Sequence, residues 1–211
     1  MGTLARHKDS GMATTQQTAG DTFDIARRAM IDSQLRTSGV NEPWVLTAMA
    51  GVRREDFVPA DSRAAAYSDR AVPLGEGRYL ASPLVHGRML SEAAPTREDK
   101  VLLVGDGAGY LAALLAGLCG SVESIAPHDA AGGGKGADYT LLVVDGAVEQ
   151  LPAALCAGLA DEARVVTGVV ERGVTRLAVG RKSAGDVALY ALADIGIPVL
   201  PEFAAPRRWS F

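Results

Sequence analysis

The stretch KVLLVGDGAGYLAALLAGL, residues 100–118, restricts the fold of this chain more than any other part of the sequence. Its first half contains a continuous apolar run from Val101 to Val104, which is typical of a strand buried on both faces of a parallel sheet. Its second half, from Leu111 to Leu118, predicts a buried helix. A strand, a turn and a helix in this order are the usual opening of a nucleotide-type α/β fold, which continues with further helices and strands.

The turn between this strand and helix contains Gly105, Gly107 and Gly109. Glycine allows a sharp bend and lets a ligand approach the free N–H groups where the helix begins. In the dinucleotide fingerprint the third glycine would fall at Tyr110, so the pattern disfavours an NAD-dependent dehydrogenase. A glycine-rich turn is weak evidence by itself, and the strand and helix beside it matter more.

The segments that follow predict the rest of a sheet. VESI, YTLLVVD and ARVVTGVV predict strands, and LPAALCAGLA predicts a helix between the last two. TRLAVGRK and DVALYAL predict an antiparallel pair that completes the sheet. The fold class is therefore α/β, with a doubly wound, mostly parallel sheet and an antiparallel C-terminal strand pair.

Helices precede the glycine turn. The apolar residues of DIARRAMIDSQLRTSG recur at helical spacing as far as Gly39. The next helix has Asn41 as its predicted N-cap and Pro43 just inside, and another helix begins near Ser82. These helices predict a helical N-terminal cap on the sheet.

Length and composition indicate one domain. At 211 residues, of which 48% are hydrophobic, the chain is long enough to bury a substantial core. We expect residues 1–20, which are polar and small, to be a disordered arm. We expect residues 21–211 to form a single domain, with 21–95 as the N-terminal cap and substrate loop and 96–211 as the core.

Charge, cysteines and hydropathy exclude several classes of partner. The net charge of −4 provides no basic field, so nucleic acid is not an expected partner. Cys119 and Cys156 lie in apolar runs without metal-ligand spacing, which predicts buried thiols, no metal site and a reducing cytoplasm. No apolar run approaches the roughly 20 residues that span a bilayer, so a soluble protein without a membrane partner is expected.

Three segments together carry a resemblance to a known family: MIDSQLRTSGVNEPWVLTAMAGVRREDFVPADSRAAAYSDRAVPLGEG, VLLVGDGAGYLAALLA and YTLLVVDGAVEQLPAAL. Between about Ala26 and about Val170 the chain resembles the protein-L-isoaspartate O-methyltransferase family. The combination of AYSDRAVPLGEG with the GDGAGY turn is specific to it. The resemblance implies a methyltransferase-type, Rossmann-like fold and a cytoplasmic, usually monomeric enzyme. Such an enzyme transfers a methyl group from S-adenosylmethionine to the carboxylate of isoaspartyl residues in damaged proteins, which begins their repair.

The resemblance also implies a cofactor site. Gly105, Gly107 and Gly109 would face the methionine part of S-adenosylmethionine. Asp145, at the end of YTLLVVD, would line the mouth of the pocket. Asp145 could instead be the N-cap of a helix formed by AVEQLPAAL, and the sequence leaves both interpretations open.

For the substrate side, the resemblance points to Asp69 and Ser82 as catalytic residues. AYSDR matches the family's loop over the site, although its charged residues would equally suit an exposed loop. The family has a hydroxyl two residues before the proline of its substrate loop, where this chain has Ala81, and the adjacent Ser82 is the candidate replacement. An ionised carboxylate is already nucleophilic, so the reaction needs positioning and exclusion of water but no general base.

Two histidines are further candidates for binding a ligand. His86 lies on a predicted apolar helix, where a single histidine is more often packed or at the surface than a ligand. His128 lies in a polar stretch with no evident partner, and we expect it to be exposed.

The predicted ribose contact departs from the family pattern. The family's cofactor strand ends in an acidic residue that accepts hydrogen bonds from both ribose hydroxyls, and VESIA places Ala126 there. Glu123 lies three residues earlier and cannot replace that residue without a shift of the chain. Each hydrogen bond to a charged acceptor contributes about 1.5–3 kcal/mol, so the loss lowers cofactor affinity by two or more decades.

The segment APHDAAGGGKGADY, residues 126–139, is a second departure. The family has a helix, a strand that contacts adenine and another helix in this place. A parallel crossover takes a dozen or more residues, so residues 127–138 can span the sheet but leave no room for that strand. We expect residues 128–136 to be mobile and the adenine side of the pocket to be open.

Two functions remain open from the sequence. One is a protein-L-isoaspartate O-methyltransferase, weakened but active, which the glycine turn favours. The other is an inactive family derivative that acts as a binding or regulatory module, which Ala81, Ala126 and the short link favour. Fold alone does not decide between them.

Overall fold

In a computed structural model of the chain, residues 22–205 are described. The predicted disordered arm at residues 1–20 lies outside them. Helix α1 spans residues 22–30 and continues as a single π turn, Ile31–Leu35, and a 3-10 turn, Arg36–Ser38. It ends at Gly39, whose φ of 87° lies in the left-handed region that glycine adopts easily.

Helix α2 spans Pro43–Gly51, as predicted, but its N-cap is Glu42. The prediction of Asn41 as the N-cap is therefore wrong. A proline disfavours helical backbone at the residue before it, so Glu42 is extended and becomes the flanking residue itself. Its carboxylate accepts hydrogen bonds from the Asn41 N–H at 3.1 Å and the Ser91 hydroxyl at 2.9 Å.

Irregular chain connects α2 to the next helix. Two 3-10 turns, Arg54–Phe57 and Ala60–Ala65, follow α2. An antiparallel hairpin of β1 (Val72–Gly75) and β2 (Arg78–Leu80) comes next. Helix α3 spans Pro83–Ala93 with Ser82 as its N-cap, so it begins where the sequence predicts.

The elements after α3 are β3 (Lys100–Val104), α4 (Tyr110–Ala116), β4 (Ser121–Ile125), β5 (Tyr139–Val148), α5 (Ala153–Ala157), β6 (Leu159–Glu171), β7 (Val174–Ser183) and β8 (Asp186–Asp194). Within the described residues, the main sheet has the strand order β4-β3-β5-β6-β7-β8. Strand β3 is parallel to both β4 and β5, and β5 is parallel to β6. β7 and β8 add to β6 as an antiparallel pair. The predicted fold class is confirmed.

The two faces of the sheet are covered unequally. Alternate residues of β3 enter different hydrophobic clusters: Val101 and Leu103 pack with residues of α1 to α4, whereas Leu102 and Val104 pack on the other face. That second face is covered by α5, which contributes Leu155, by the link before β5, and by Leu200 and Phe203. Helix α5 is only five residues long because β6 already begins at Leu159, inside the longer helix that the sequence predicts.

Strand β4 is an edge of the described sheet. After β4 the chain returns to β5 through a link, residues 126–138, whose one regular turn is the 3-10 turn Ala130–Gly132. The expectation that no further strand fits between β4 and β5 is confirmed for the described residues. Within residues 22–205, one side of β4 therefore has no strand partner.

Candidate functional site

The glycine turn lies where β3 ends and α4 begins. The Gly105 N–H donates to the Ile125 carbonyl at 2.9 Å, which ties the start of the turn to the end of β4. The Ala108 N–H donates to Asp106 Oδ1 at 2.9 Å, and the Gly109 N–H donates to the Asp106 carbonyl at 2.9 Å. A Cβ at Gly109 would lie only 2.9 Å from that same carbonyl oxygen, so glycine is required for this bend.

The turn also lies tightly between its two neighbouring strands. A Cβ at Gly105 would lie 3.2 Å from the Cβ of Asp145 on β5. A Cβ at Gly107 would lie 3.1 Å from the Cβ of Ser124 on β4. The carboxyl ends of three parallel strands therefore meet around the turn, which is the usual place of a ligand in an open α/β sheet. The structure brings Gly105, Gly107, Gly109 and Asp145 together, but their predicted role in cofactor binding stays a prediction.

Asp145 belongs to strand β5, and α5 begins only at Ala153 after Pro152 as its N-cap. The alternative interpretation of Asp145 as a helix N-cap is therefore wrong. Its Oδ1 lies 3.0 Å from Nε2 of His86, a fully buried side chain on α3. The other ring nitrogen of His86, Nδ1, lies 3.1 Å from Nη1 of Arg54. These three side chains form a hydrogen-bonded relay, which we call the Arg54–His86–Asp145 relay.

Arg54 is fully buried at the inner end of this relay. Its Nε donates to the Ala66 carbonyl at 2.6 Å, and its Nη2 donates to the Ala81 carbonyl. The guanidinium carbon lies 5.0 Å from the centre of the Tyr110 ring, a cation–π contact. Burial lowers the pKa of Arg54 to about 10, which still leaves the guanidinium protonated at neutral pH.

A second buried group joins the N-terminal helix to the loop before the hairpin. Glu55, 1% exposed, accepts a hydrogen bond from the Tyr67 hydroxyl and bonds at 3.1 Å from both Arg27 and Arg53. Arg27 Nε also donates to the Tyr67 hydroxyl at 2.8 Å. Burial, and then the hydrogen bond to Glu55, raise the pKa of Tyr67 to about 12. Tyr67 therefore anchors its loop, while Asp69, two residues later, is exposed.

Ser82 lies at the start of α3, one helical turn before His86. The His86 N–H donates to the Ser82 carbonyl at 3.4 Å, which links the first turn of α3 to the residue before it. Its side chain is mostly buried, and within the described residues its hydroxyl caps no N–H group of α3. Ala81, where the family has a hydroxyl, is 1% exposed and contributes only its carbonyl, to Arg54. The catalytic roles predicted for Ser82 and Asp69 stay predictions.

The residue that follows β4 is Ala126, so the carboxyl end of this strand presents no carboxylate at that position. Glu123 faces elsewhere: its Oε1 accepts from the Lys135 N–H at 2.7 Å, and hydrogen bonds from Tyr139 and Lys135 hold its pKa below the usual range. The residue of β4 that faces the glycine turn is Ser124. The structure thus separates the acidic residue of β4 from the turn, as the period-two argument predicts.

Among residues 22–205, no group of three or more His, Cys, Asp or Glu side chains is placed to hold a metal ion. Cys119 is buried and Cys156 is partly buried, and neither is in a disulfide. His128 is exposed as expected, although it has a partner, Asp129, at 3.2 Å. None of the described helices combines the length and the apolar character that crossing a bilayer needs.

Comparison with known proteins identifies the relatives of this chain. The family model described as protein-L-isoaspartate(D-aspartate) O-methyltransferase (PCMT) matches residues 26–131. A protein-L-isoaspartate O-methyltransferase of Koribacter versatilis is 35% identical over 208 residues, which cover 87% of this chain and 93% of the relative. The chain belongs to the protein-L-isoaspartate(D-aspartate) O-methyltransferase family.

Other relatives match over different lengths. A protein-L-isoaspartate O-methyltransferase of Roseiflexus castenholzii is 43% identical over 110 residues, about half of each chain. Among solved structures, one from Plasmodium falciparum, assigned to the same activity and in complex with S-adenosyl-L-homocysteine, has a TM-score of 0.67. It is 15% identical, and the match covers 85% of this chain and 98% of that one, which supports the fold alone. The family resemblance predicted from the sequence is confirmed.

Sequence reasoning missed Arg54 and the relay that it begins. Arg54 stands beside Arg53 in the charged run RRED, which suggests an exposed turn. In the structure a 3-10 turn, Arg54–Phe57, overlaps this run, and residues three apart in such a turn lie above one another. The ring centre of Phe57 lies 5.6 Å from that of Tyr110. Because Arg54 is three residues before this apolar residue, Phe57 is the local signal that the Arg54 side of the turn is buried.

Proposed function

We propose that this chain carries out the reaction of its family, the transfer of a methyl group from S-adenosylmethionine to the carboxylate of isoaspartyl residues in proteins. The observation that supports this best is the meeting of the glycine turn with Asp145 at the carboxyl edge of the parallel strands. S-adenosylmethionine, when bound, supplies a methyl group that its positive sulfonium makes reactive. The chain's part is to bind, to orient and to exclude water.

The residues at the turn fit the methionine half of this cofactor. Side chains at Gly105 or Gly107 would fill the space against Asp145 and Ser124, so their absence keeps the backbone accessible. Asp145 is the nearby ionisable side chain of β5, and its carboxylate suits a cationic ligand. We assign Gly105, Gly107, Gly109 and Asp145 to cofactor binding on this basis.

The residues near the end of β4 fit the ribose half of the cofactor less well. Ala126 offers no acceptor at the end of β4, and the carboxylate of Glu123 is engaged by the link. Each missing hydrogen bond to a charged acceptor removes about 1.5–3 kcal/mol of binding free energy. We therefore propose a high cofactor requirement, which leaves the transfer step itself possible.

On the substrate side, the isoaspartyl carboxylate is ionised at neutral pH and attacks without a general base. We assign Ser82 to the positioning of that carboxylate, because it lies one helical turn before His86 in the chain and, within residues 22–205, its hydroxyl caps no N–H group of α3. We assign Asp69 to the exposed loop that closes over the peptide. Hydrogen bonds from a fixed hydroxyl orient the nucleophile, which is the main catalytic need of this reaction.

The test is incorporation of labelled methyl into an isoaspartyl peptide and into the matching aspartyl peptide, across a titration of S-adenosylmethionine. We expect label in the isoaspartyl peptide only, and only at cofactor concentrations well above the low micromolar range. Equal labelling of both peptides would remove the isoaspartyl assignment. Absence of binding and of turnover at the highest cofactor concentration would favour the inactive derivative that acts as a binding or regulatory module.

A cytoplasmic monomer is part of the same proposal. The family resemblance and the unpaired cysteines Cys119 and Cys156 support it. The division of the chain into a cap at 21–95 and a core at 96–211 is also retained, although one hydrophobic cluster includes residues of both parts. Light scattering coupled to size-exclusion chromatography measures the mass, and a mass of about twice 21.9 kDa would contradict the monomer.

A further inference from the structure

The polarity of the Arg54–His86–Asp145 relay follows from the chemistry of arginine. A guanidinium has only N–H donors, so the Arg54 Nη1 donates and His86 Nδ1 accepts, at 3.1 Å. With Nδ1 accepting, the ring proton of the neutral imidazole is on Nε2, which donates to Asp145 Oδ1 at 3.0 Å. Arg54 therefore selects one tautomer of His86, and that tautomer holds one oxygen of Asp145.

Only the outer end of the relay reaches solvent. The side chains of Arg54 and His86 are 0% exposed, whereas that of Asp145 is 21% exposed. The Cβ of Asp145 is the atom that a side chain at Gly105 would contact, at 3.2 Å. The charge that the relay presents beside the glycine turn is thus the negative carboxylate, and the positive guanidinium stays behind the imidazole.

A fixed negative charge distinguishes the two forms of the cofactor. S-adenosylmethionine carries a positive sulfonium, whereas the product S-adenosylhomocysteine has lost the methyl group and has a neutral thioether in its place. A carboxylate held beside the sulfur attracts the positive sulfonium and gains no such attraction from the neutral thioether, and it does so more strongly than a freely rotating, solvated carboxylate.

We propose that Asp145 is the group that shifts the relative affinity of this site toward the charged cofactor and away from its neutral product, and that His86 and Arg54 are positioning residues that fix its carboxylate. This inference rests on the proposed function, because it takes S-adenosylmethionine as the ligand. Preference for the charged form favours loading of the methyl donor and release of the spent product from the same site.

The experiment compares binding of S-adenosylmethionine and S-adenosylhomocysteine by calorimetry. In Asp145→Asn we expect affinity for the charged cofactor to fall about tenfold, while affinity for the neutral product changes by less than about threefold. Glu98→Gln is the matched control, because it also removes one exposed carboxylate. Glu98 precedes β3 at the opposite end of the sheet, so this substitution should leave the ratio of the two affinities unchanged.

Two variants of His86 separate positioning from packing. Gln can accept from Arg54 with its amide oxygen and donate to Asp145 with its amide nitrogen, so His86→Gln should keep most of the preference. His86→Leu fills the space without either hydrogen bond, and it should reduce the preference although Asp145 is present. If His86 only filled space, the two variants would have the same ratio of affinity for S-adenosylmethionine to affinity for S-adenosylhomocysteine.

The relay has a readout that needs no cofactor. Nitrogen-15 spectra of the imidazole, assigned by comparison with His86→Gln, should show His86 protonated at Nε2 and unprotonated at Nδ1. Protonation at Nδ1 would overturn the relay. Equal losses of both affinities in Asp145→Asn would overturn the charge role and leave the proposed function intact. Failure of the wild-type chain to bind either cofactor would overturn the proposed function, and this inference with it.

Discussion

Arg53 and Arg54 are adjacent, chemically identical residues with opposite environments. The side chain of Arg53 is 57% exposed and pairs with Glu55 and Asp56, whereas Arg54 is fully buried. A buried cation is tolerated only when its donors are satisfied, and Arg54 meets this condition through two carbonyls and an imidazole. The carbonyls belong to Ala66 and Ala81, so Arg54 joins the chain before the β1–β2 hairpin to the start of α3.

Replacement of Ala126 tests whether the missing carboxylate after β4 weakens binding of the ribose of the cofactor. We predict that Ala126→Glu tightens binding of S-adenosylhomocysteine by about tenfold or more, because a carboxylate there recovers hydrogen bonds worth about 1.5–3 kcal/mol each. Titration calorimetry measures the affinity. Ala126→Gln is the control for size, since it adds a side chain of nearly the same length without charge. If binding is detectable and Glu changes nothing, the ribose is held by other residues.

At the scale of the element, the link between β4 and β5 has more contacts than its composition indicates. Ala130 is fully buried in the hydrophobic cluster that also contains Leu155 of α5. The Lys135 N–H donates to Glu123, and the Gly136 N–H donates to the Tyr139 hydroxyl at 2.8 Å. The mobility expected for residues 128–136 stays a prediction, which amide hydrogen exchange measures directly.

Two adjacent glycines of the link give a sharp test of its packing. Gly133 has a φ of +79°, and a Cβ there would lie 2.7 Å from the Ala154 carbonyl oxygen, whereas a Cβ at Gly132 meets nothing within 4 Å. We predict that Gly133→Ala lowers the free energy of unfolding by about 1–3 kcal/mol. Gly132→Ala should change it by less than about 0.5 kcal/mol. Urea unfolding measures both, and equal small effects would show that the link is not packed against α5.

At the scale of the whole molecule, buried carboxylates join distant segments. Glu55 bonds to Arg27 and Tyr67, while Asp99, before β3, bonds to Thr140 on β5 at 2.7 Å and to Arg164 on β6 at 2.6 Å. Burial opposes ionisation of both carboxyls, but their hydrogen bonds and cationic partners outweigh it and lower both pKa values. The ionised forms therefore stabilise the assembled chain.

These shifts determine how stability depends on pH. A pKa that is lower in the folded state than in the unfolded state, where it is about 4, gives a stabilisation that is complete above that value. It is lost as the pH falls through the folded-state pKa. We predict that Glu55→Gln and Asp99→Asn are each less stable than the wild type by about 2 kcal/mol at pH 7, and that the difference shrinks below about pH 4.

Urea unfolding between pH 3 and pH 7 measures this difference. Asp61→Asn, at an exposed position in a 3-10 turn, is the control and should follow the wild type throughout. A constant gap between wild type and variants over the whole pH range would mean that the loss comes from packing, and that ionisation of Glu55 and Asp99 contributes nothing.

The amino-acid sequence alone was enough to predict the strand–turn–helix at residues 100–118, the helices before it and the strand pair after it. It also determined that a strand is missing after β4, because thirteen residues, 126–138, cannot contain the usual helices and strand. These features follow from local periodicity, glycine placement and chain length, which a sequence displays directly.

The remaining geometry of the site depends on contacts between segments that are far apart in the chain. His86 and Asp145 are 59 residues apart in the chain, and Arg54 and His86 are 32 apart, so no local pattern joins them. The sequence left Asp145 between a helix cap and a pocket residue, and the length of β5 excluded the cap. Whether a charged side chain is solvated or buried depends on which distant segment packs over it, and the free energy of that choice comes from contacts that form only when the chain has folded.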